Sequence, residues 1–238
     1  MNRPVALITG GVRRVGRAIA LHLARRGYDL LVTYNRSEVD ARSLKSELDG
    51  IGVRSLMLQA DLTNLPSAGA AIASAVEQFG ARLDTLVNNA SIYLPDEPAD
   101  QTLSMFQIHC QAPLELSHLL AAPLRQQRGC IINMCDILGV RPMPGWLNYS
   151  ASKAGLANIT LGLARELAPD IRVCGIAPGV AQWPDNYAEQ DKENYLKRVP
   201  LKRAGTPEDI ARLVGFLLSE GTYITGQIIA VDGGRSIA

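Results

Sequence analysis

Seven short apolar runs recur along the chain, and most are separated by stretches with a helical pattern. Each run has the length and composition of a strand that is buried on both faces of a sheet. Strands that alternate with helices in this way predict βαβ units and a parallel sheet with helices on both faces. The predicted strands are residues 5–9, 29–34, 54–59, 83–90, 130–134, 172–176 and 227–231.

The domain organisation follows from the length and continuity of this pattern. The 238 residues are enough for one or two domains. No linker, repeat or low-complexity segment interrupts the alternation. We therefore expect one doubly wound, Rossmann-type α/β domain over residues 1–238, with a seven-stranded parallel sheet. Residues 180–204 are long, polar and irregular in pattern, which is typical of a functional loop at a substrate site.

Composition and charge exclude several classes of function. The net charge is +1, so no overall field attracts nucleic acid or an anionic membrane. No apolar run approaches the length needed to cross a bilayer, and the N-terminal residues lack a signal-peptide pattern. The four cysteines have no CxxC spacing. We therefore expect a cytoplasmic protein with reduced thiols and no metal site.

A glycine-rich turn joins the first predicted strand to the first predicted helix. Gly10 and Gly16 flank the turn, and the helical pattern continues to Arg26, where Gly27 ends it. Glycines at this point let the backbone approach a pyrophosphate, which the N-terminus of the helix then attracts. The motif predicts nucleotide binding; the alternative is a glycine-rich loop that binds nothing.

The tip of the second strand predicts which dinucleotide binds. An acidic residue there accepts the 2′-hydroxyl of NAD, whereas a cation accommodates the 2′-phosphate of NADP. This tip carries Asn35, Arg36 and Ser37 and no carboxylate. We therefore expect NADPH as the cofactor; the alternative is that Arg36 is an ordinary solvated cation.

Candidate functional residues follow five of the predicted strands. In a parallel α/β sheet, ligands bind along the carboxyl ends of the strands. The convergence of five features on one edge therefore predicts a binding site there. The features are the turn at residues 10–16, Arg36, residues 88–91, Asp136 and residues 178–179.

Tyr149 and Lys153 are four residues apart and follow the fifth strand, which delivers Asp136 at its end. If Tyr149 opens a helix, this spacing places the phenol and the ammonium on one face, one turn apart. A positive charge there lowers the Tyr pKa from about 10 towards neutral pH, which suits a proton donor. The alternative is a surface Tyr/Lys pair without chemistry.

The span from Thr9 to Gly234 resembles the short-chain dehydrogenase/reductase family. The matching residues are Thr9, Gly10, Gly16, Asn88, Asn89, Ala90, Tyr149, Lys153, Pro178, Gly179 and the segment VDGG at residues 231–234. In that family the tyrosine is the proton donor, and the lysine binds the nicotinamide ribose and lowers the tyrosine pKa. The resemblance also implies a homotetramer. It further implies that NADPH contacts Gly10, Arg14, Val15, Asn35, Arg36, Ser37, Asp61, Leu62, Asn89, Ala90, Tyr149, Lys153, Pro178 and Gly179.

Three departures from the family pattern point to one branch. Asp136 replaces the family's serine, Arg14 replaces the middle glycine of the turn, and His109 stands where a relay asparagine is usual. The first two, with the Arg-Ser pair after the second strand and an aromatic residue after NNAS, resemble the pteridine reductases. His109 also resembles the bacterial dihydromonapterin reductases, which can reduce dihydrofolate.

The chemistry of these departures agrees with a pterin substrate. A pterin presents a 2-amino group and ring nitrogens, so a carboxylate can accept from the amine or relay a proton. A guanidinium can donate to the pterin carbonyl oxygen, and an aromatic ring can lie flat against the pterin. The predicted substrate residues are Arg14, Ser91, Tyr93, Asp136 and Tyr149.

These observations support one main hypothesis and two alternatives. The main hypothesis is NADPH-dependent reduction of a dihydropterin to its tetrahydro form, with Asp136, Tyr149 and Lys153 as the acid system. The first alternative is a carbonyl reductase of the same family, such as a 3-oxoacyl-carrier-protein reductase. The second is a protein that binds NADPH without catalysis, since a fold alone proves no chemistry.

Overall fold

The computed structural model describes residues 3–97, 101–183 and 187–238. Within these ranges, seven strands form one sheet in which every neighbouring pair is parallel. The strands are β1 (Val5–Ile8), β2 (Asp29–Tyr34), β3 (Ser55–Gln59), β4 (Thr85–Asn88), β5 (Cys130–Met134), β6 (Arg172–Pro178) and β7 (Ile228–Val231). Their order is β3-β2-β1-β4-β5-β6-β7, which confirms the predicted Rossmann-type sheet.

The helices lie between the strands and flank the sheet. Those in the described ranges are α1 (Arg14–Arg25), α2 (Glu38–Ile51), α3 (Leu65–Gln78), α4 (Thr102–Phe106), α5 (Ala112–Leu119), α6 (Ala121–Gln126), α7 (Leu147–Glu166), α8 (Glu189–Lys197) and α9 (Pro207–Ser219). The best-capped of them is α9. Thr206 accepts from the backbone N–H of Asp209, and the Asp209 side chain accepts from the N–H of Thr206. None of these helices combines the length and apolar character needed to cross a membrane.

The sheet divides the core into two clusters, as the side chains of β1 show. Successive side chains of a strand point to opposite faces. Ala6 and Ile8 pack in a cluster with residues of α1, α2 and α9, whereas Val5 and Leu7 pack with residues of α3, α5 and α7. Full burial of a large aliphatic side chain contributes about 1.5–3 kcal/mol. Both faces of β1 are therefore held in place, and its carboxyl end is a rigid support for the loop that follows.

The strand order reverses at β1, which has β2 on one side and β4 on the other. The connections from β1 to β2 and from β4 to β5 therefore leave in opposite directions across the sheet. This arrangement opens a crevice at the carboxyl ends of β1 and β4, where ligands of doubly wound folds bind.

The structure corrects one expectation about helices and shows how the helical region before β5 is divided. In that region α4 passes into a π-helical turn at Gln107–Gln111, and α5 and α6 follow. The segment 180–204 is not irregular throughout, because it contains α8. No residue of α8 is buried. The helix therefore lacks the apolar periodicity by which helices are predicted.

Candidate active site

The glycine turn after β1 lies directly against the end of β4. Gly10 has a φ of +59°, and a Cβ on it would lie 2.9 Å from the Cα of Ala90. A Cβ on Gly16 would lie 2.6 Å from Asn89 Nδ2 and 2.7 Å from the Gly10 carbonyl oxygen. A side chain at either position would displace the loop, so the close approach of the two strand ends requires glycine.

The N-terminus of α1 opens above this turn and suits an anionic ligand. The residue before α1, Arg13, makes no side-chain capping bond, and the first turn contains no acidic residue. The first backbone N–H groups of a helix have no partner within the helix, and the helix dipole attracts negative charge to them. The close-packed glycine turn and this helix end fit the pyrophosphate of a dinucleotide.

A hydrogen-bond network joins the ends of β1 and β4. The Thr9 hydroxyl oxygen accepts from the backbone N–H groups of Asn89 and Ala90, each at 3.0 Å. The Asn89 amide donates to the carbonyl oxygens of Thr9 at 2.9 Å and of Gly10 at 3.0 Å. The structure thus brings the predicted cofactor residues Gly10, Asn89 and Ala90 together.

The tip of β2 presents Asn35 and Arg36 to solvent, with Ser37 partly exposed before α2. The positive charge of Arg36 contributes to a lowered pKa of Asp61, after the larger effects of two hydrogen bonds from Thr63. The predicted residues at the ends of β2 and β3 therefore share one surface region. An exposed cation without a neighbouring β2 carboxylate suits an additional phosphate.

The remaining predicted cofactor residues lie around this edge. Val15 is partly buried in the first turn of α1, and Leu62 is buried after β3. Pro178 ends β6, and the backbone N–H of Gly179 donates to Val231 at 3.0 Å. These residues present backbone groups and apolar surface at this edge of the sheet.

Asp136 and Tyr149 meet directly in the crevice. Asp136 follows β5 and caps a short 3₁₀ turn, where its Oδ1 accepts from the backbone N–H of Leu138 at 2.9 Å. The Tyr149 hydroxyl donates to Asp136 Oδ2 at 2.8 Å. Since Asp136 accepts both bonds, the geometry fits an ionised carboxylate beside a protonated phenol.

Lys153 lies one turn after Tyr149 on α7 and is buried, with 3% of its surface exposed. Its ammonium donates to the carbonyl oxygen of Met134 at 2.9 Å and lies 5.7 Å from the centre of the Tyr149 ring. Burial lowers the pKa of Lys153, and the negative charge of Asp136 opposes that shift. The predicted triad Asp136, Tyr149 and Lys153 is thus assembled in one place.

The structure contradicts the expectation that Lys153 lowers the pKa of Tyr149. Burial, the charge of Asp136 and the hydrogen bond to it raise the pKa of Tyr149 well above its ordinary value. The carboxylate contacts the hydroxyl, whereas the ammonium is directed to a backbone carbonyl. Tyr149 is therefore held in its protonated form. Burial also raises the pKa of Asp136, although Leu138, Lys153 and Tyr149 oppose the shift.

Tyr93 provides an exposed aromatic face beside the triad. Its ring packs edge-on against Tyr149, with centroids 4.8 Å apart, and is stacked on Trp146 at 5.7 Å. Burial raises the pKa of Tyr93 to about 12, with contributions from Asp136 and Tyr187. Because 46% of Tyr93 is still exposed, a ligand can reach this side chain. Trp146 was not predicted as a site residue, although an aromatic residue three positions before Tyr149 was a usable signal.

Arg14 joins the glycine turn to the loop after β6. Its φ of +50° is unusual for a residue with a side chain, and such backbone strain is often found at functional sites. Its guanidinium donates to the carbonyl oxygens of Gln182 at 2.9 Å and Trp183 at 3.4 Å. Arg14 therefore lies where the glycine turn meets the predicted substrate loop.

Aromatic side chains order the segment around α8. Trp183 packs against Tyr187 and Tyr195, with ring centroids 5.1 and 5.4 Å apart. The Tyr195 hydroxyl accepts from the backbone N–H of Val180 at 3.1 Å. This cluster holds the segment near the carboxyl end of β6. Within the described ranges, no group of three or more His, Cys, Asp or Glu side chains is arranged to hold a metal ion.

Comparison with known proteins agrees with this geometry. A family model described as enoyl-(acyl carrier protein) reductase matches residues 11–236. A 3-oxoacyl-[acyl-carrier-protein] reductase of Staphylococcus aureus is 39% identical over 245 residues, covering 96% of each protein. The chain belongs to the short-chain dehydrogenase/reductase family. A family member from Thermotoga maritima with the same printed name is 32% identical and covers 98% of each protein.

Solved structures show the same fold. The acetoin dehydrogenase YohF from Salmonella typhimurium matches with a TM-score of 0.89 and 32% identity, covering 99% of this chain and 97% of that one. The acetoin dehydrogenase from Enterobacter cloacae matches with a TM-score of 0.88 and 34% identity, covering 99% and 96%. The chain is therefore an oxidoreductase of a family that uses nicotinamide dinucleotides.

Proposed function

We propose that the protein is an NADPH-dependent reductase of a dihydropterin, such as dihydromonapterin, dihydrobiopterin or dihydrofolate, and that it forms the tetrahydro product. The observation that carries the proposal is the Asp136 carboxylate that accepts the Tyr149 hydroxyl at 2.8 Å. The family's serine is a hydrogen-bond donor at this position, whereas an ionised carboxylate only accepts.

The carboxylate distinguishes between two kinds of substrate. Reduction of a ketone concentrates negative charge on its oxygen, and hydrogen-bond donors stabilise that charge. Asp136, next to the proton donor, would repel it. A pterin instead presents an amino group, from which a carboxylate can accept a hydrogen bond. It also presents ring nitrogens, to which a carboxyl group can pass a proton. Asp136 therefore favours a C=N bond in an amino-substituted ring.

The residues of the triad have separate tasks in this reaction. When bound, NADPH would supply the hydride for the ring carbon of the C=N bond. Tyr149 donates its proton to the ring nitrogen, and Asp136, whose pKa burial raises, then takes up a proton from water and passes it to Tyr149. Lys153, whose ammonium lies 5.7 Å from the centre of the Tyr149 ring, would bind the nicotinamide ribose, as the family resemblance implies.

Other residues orient the planar substrate. Tyr93, backed by Trp146, offers one face of its ring to the pterin. Arg14 donates to the pterin carbonyl oxygen after it exchanges its contacts with Gln182 and Trp183. Ser91 forms a hydrogen bond that lowers the pKa of Tyr149, which places it at the same site. Residues 180–204 form the substrate loop of the single domain 1–238.

NADPH is proposed over NADH because of Arg36. Arg36→Ala should weaken NADPH binding by about tenfold to a hundredfold, because a charge-assisted bond to the 2′-phosphate is lost. NADH binding should barely change. The measurement is the Kd of each cofactor by fluorescence titration. Arg42→Ala, which removes an equal charge from the exposed face of α2, is the matched control. Equal losses for NADPH and NADH would show that Arg36 has only a structural role.

A second candidate function is reduction of a 3-oxoacyl thioester. The names of the Staphylococcus and Thermotoga relatives favour it over a pterin, since both are 3-oxoacyl-[acyl-carrier-protein] reductases. Tyr149 and Lys153 are compatible with it, whereas Asp136 and Arg14 are not the residues that a simple carbonyl substrate requires.

The test is a substrate panel on the native protein. NADPH oxidation is measured with dihydromonapterin, dihydrobiopterin, dihydrofolate and an acetoacetyl thioester. We expect turnover of at least one pterin and little turnover of the thioester. Efficient reduction of the thioester alone would replace the pterin proposal with the second candidate. NADPH binding without any turnover would favour the non-catalytic alternative.

The assembly and location complete the proposal. The family resemblance implies a homotetramer, and an apolar cleft on α4, α5 and α7 offers a surface for a second copy. Leu103, Phe106, Leu114 and Ile159 are among its lining residues. Four free cysteines, three of them buried, agree with a cytoplasmic enzyme.

A further inference from the structure

His109 is a buried titratable residue that the proposed mechanism does not use. It lies at the centre of the π-helical turn Gln107–Gln111, between α4 and α5, with 1% of its surface exposed. π-helical turns within helices are rare and frequently occur at functional sites. The imidazole packs edge-on against Tyr149, with ring centroids 5.4 Å apart. Its location therefore connects it to the proton donor itself.

The hydrogen bonds of His109 assign its tautomer. The backbone N–H of Ile92 donates to Nε2 at 3.2 Å, so Nε2 carries a lone pair and the ring proton is on Nδ1. The Ser91 hydroxyl lies 2.9 Å from the same Nε2 and can donate to it. Nδ1 then donates to the Ser152 hydroxyl oxygen at 2.8 Å.

The chain of bonds continues into the helix of the proton donor. The Ser152 hydroxyl donates to the backbone carbonyl of Tyr149 at 2.7 Å. The hydrogen bonds from the Ile92 N–H through His109 and Ser152 to the Tyr149 carbonyl thus all donate in the same direction along the chain of groups. A protonated imidazole would present a second N–H to the Ile92 N–H, so the network is complete only when His109 is neutral.

Burial and the charge near His109 also favour the neutral imidazole. Burial, followed by the nearby positive charge of Lys153, lowers the pKa of His109 to about 2. The phenol of Tyr149, which contacts the imidazole edge-on, is itself held neutral. Within the described ranges no hydrogen bond joins His109 to the Lys153 ammonium or to the Tyr149 hydroxyl. Ser91, which lies 2.9 Å from His109 Nε2, also forms a hydrogen bond that lowers the pKa of Tyr149. A neutral imidazole with these partners is placed to position the Ser91 segment against Tyr149.

We propose that His109 is a positioning residue, which as a neutral Nδ1–H imidazole ties the segment of Ser91, Ile92 and Tyr93 to the backbone of Tyr149. The segment and α7 are far apart in sequence, and this link sets the distance between the aromatic face of Tyr93 and the Tyr149 hydroxyl. The proposal rests on the proposed function, in which these two groups face the substrate, and it adds a residue that controls their separation.

The tautomer is tested by ¹⁵N NMR of the histidine-labelled native protein with and without NADPH. We expect one imidazole to show a protonated Nδ1 and an unprotonated Nε2, unchanged from pH 5 to 9. His109→Gln should remove this signal, whereas His118→Gln, on the surface beside Glu166, should leave it in place. Titration of the signal in this range, or a proton on Nε2, would overturn the proposal.

The positioning role is tested by kinetics. His109→Phe keeps an aromatic ring against Tyr149 and removes the imidazole's hydrogen bonds to Ser91, Ile92 and Ser152. It should lower kcat by about tenfold to a hundredfold, because small misplacements of reacting groups have effects of that size. The Kd of NADPH should stay within about twofold. His118→Phe is the control and should keep the native kcat. A native kcat in folded His109→Phe, or a parallel loss of NADPH binding, would contradict the proposal.

The two proposals fail in different ways. The kinetic assay uses whichever substrate the native protein reduces, a dihydropterin or the acetoacetyl thioester. If the thioester alone is reduced, the proposed function is wrong, while the His109 variants still decide the positioning role. If His109→Phe does not fold, the NMR experiment on the native protein decides it without turnover.

Discussion

Tyr149→Phe is expected to lower kcat by about 10²- to 10⁴-fold, the range that general acid catalysis contributes. The substitution removes only the hydroxyl that donates to Asp136 at 2.8 Å. The ring keeps its edge-on contacts with Tyr93 and His109. NADPH affinity should therefore stay close to native. The measurements are kcat in steady-state turnover and the Kd of NADPH by fluorescence.

Tyr223→Phe is the matched control, because the Tyr223 side chain is fully exposed. It should leave both kcat and cofactor binding unchanged. A near-native rate for Tyr149→Phe would mean that the proton comes from another source, most simply water. Loss of NADPH affinity together with kcat would instead indicate that the hydroxyl maintains the cofactor site.

Asp136→Ser is expected to separate the two candidate substrates. It restores the side chain that carbonyl-reducing members of the family have at this position. Serine can still cap the 3₁₀ turn by accepting from the Leu138 N–H, so the backbone should be retained. A hydrogen bond to a charged group contributes about 1.5–3 kcal/mol. Dihydropterin reduction should therefore fall at least tenfold in kcat/KM, and more if Asp136 also relays the proton.

Activity of Asp136→Ser on an acetoacetyl thioester should stay flat or rise from a low value. The measurement is kcat/KM for three dihydropterins and the thioester with the native and variant proteins. Asp136→Asn is the matched control, since it keeps the shape and removes the charge; it should lose pterin activity as Asp136→Ser does. If the native enzyme reduces the thioester well and ignores all three pterins, the pterin assignment is wrong.

The sheet and the edge that carries the site were predictable from the chain alone. Apolar runs such as those of β1 and β5 are buried on both faces, so their composition marks them without knowledge of their neighbours. Parallel strands have their carboxyl ends at one edge, which places Gly10, Asn89, Asp136 and Gly179 together. Tyr149 and Lys153 share a helix face because their spacing is local.

Helices without an apolar face were harder to predict. α8 has no buried residue, and its only local signals are Glu189 and Asp191 in the first turn and Lys197 in the last. The π-helical turn around His109 interrupts a continuous helical pattern. The turn contains neither glycine nor proline, so no residue in it marks the interruption. Helix α8 and the π-helical turn both depend on how side chains pack against other elements, and the apolar periodicity of the sequence does not show that packing.

The proton chemistry was decided by tertiary structure. The spacing of Lys153 and Tyr149 suggested a lowered phenol pKa, but the nearest charge to the hydroxyl comes from Asp136, thirteen residues away. His109 likewise takes its partners Ile92 and Ser152 from two other segments. Local sequence determines which groups share an element, because helix and strand geometry repeat. Only the fold determines which charged groups lie next to each other and how deeply each is buried from water, and those two factors set each pKa.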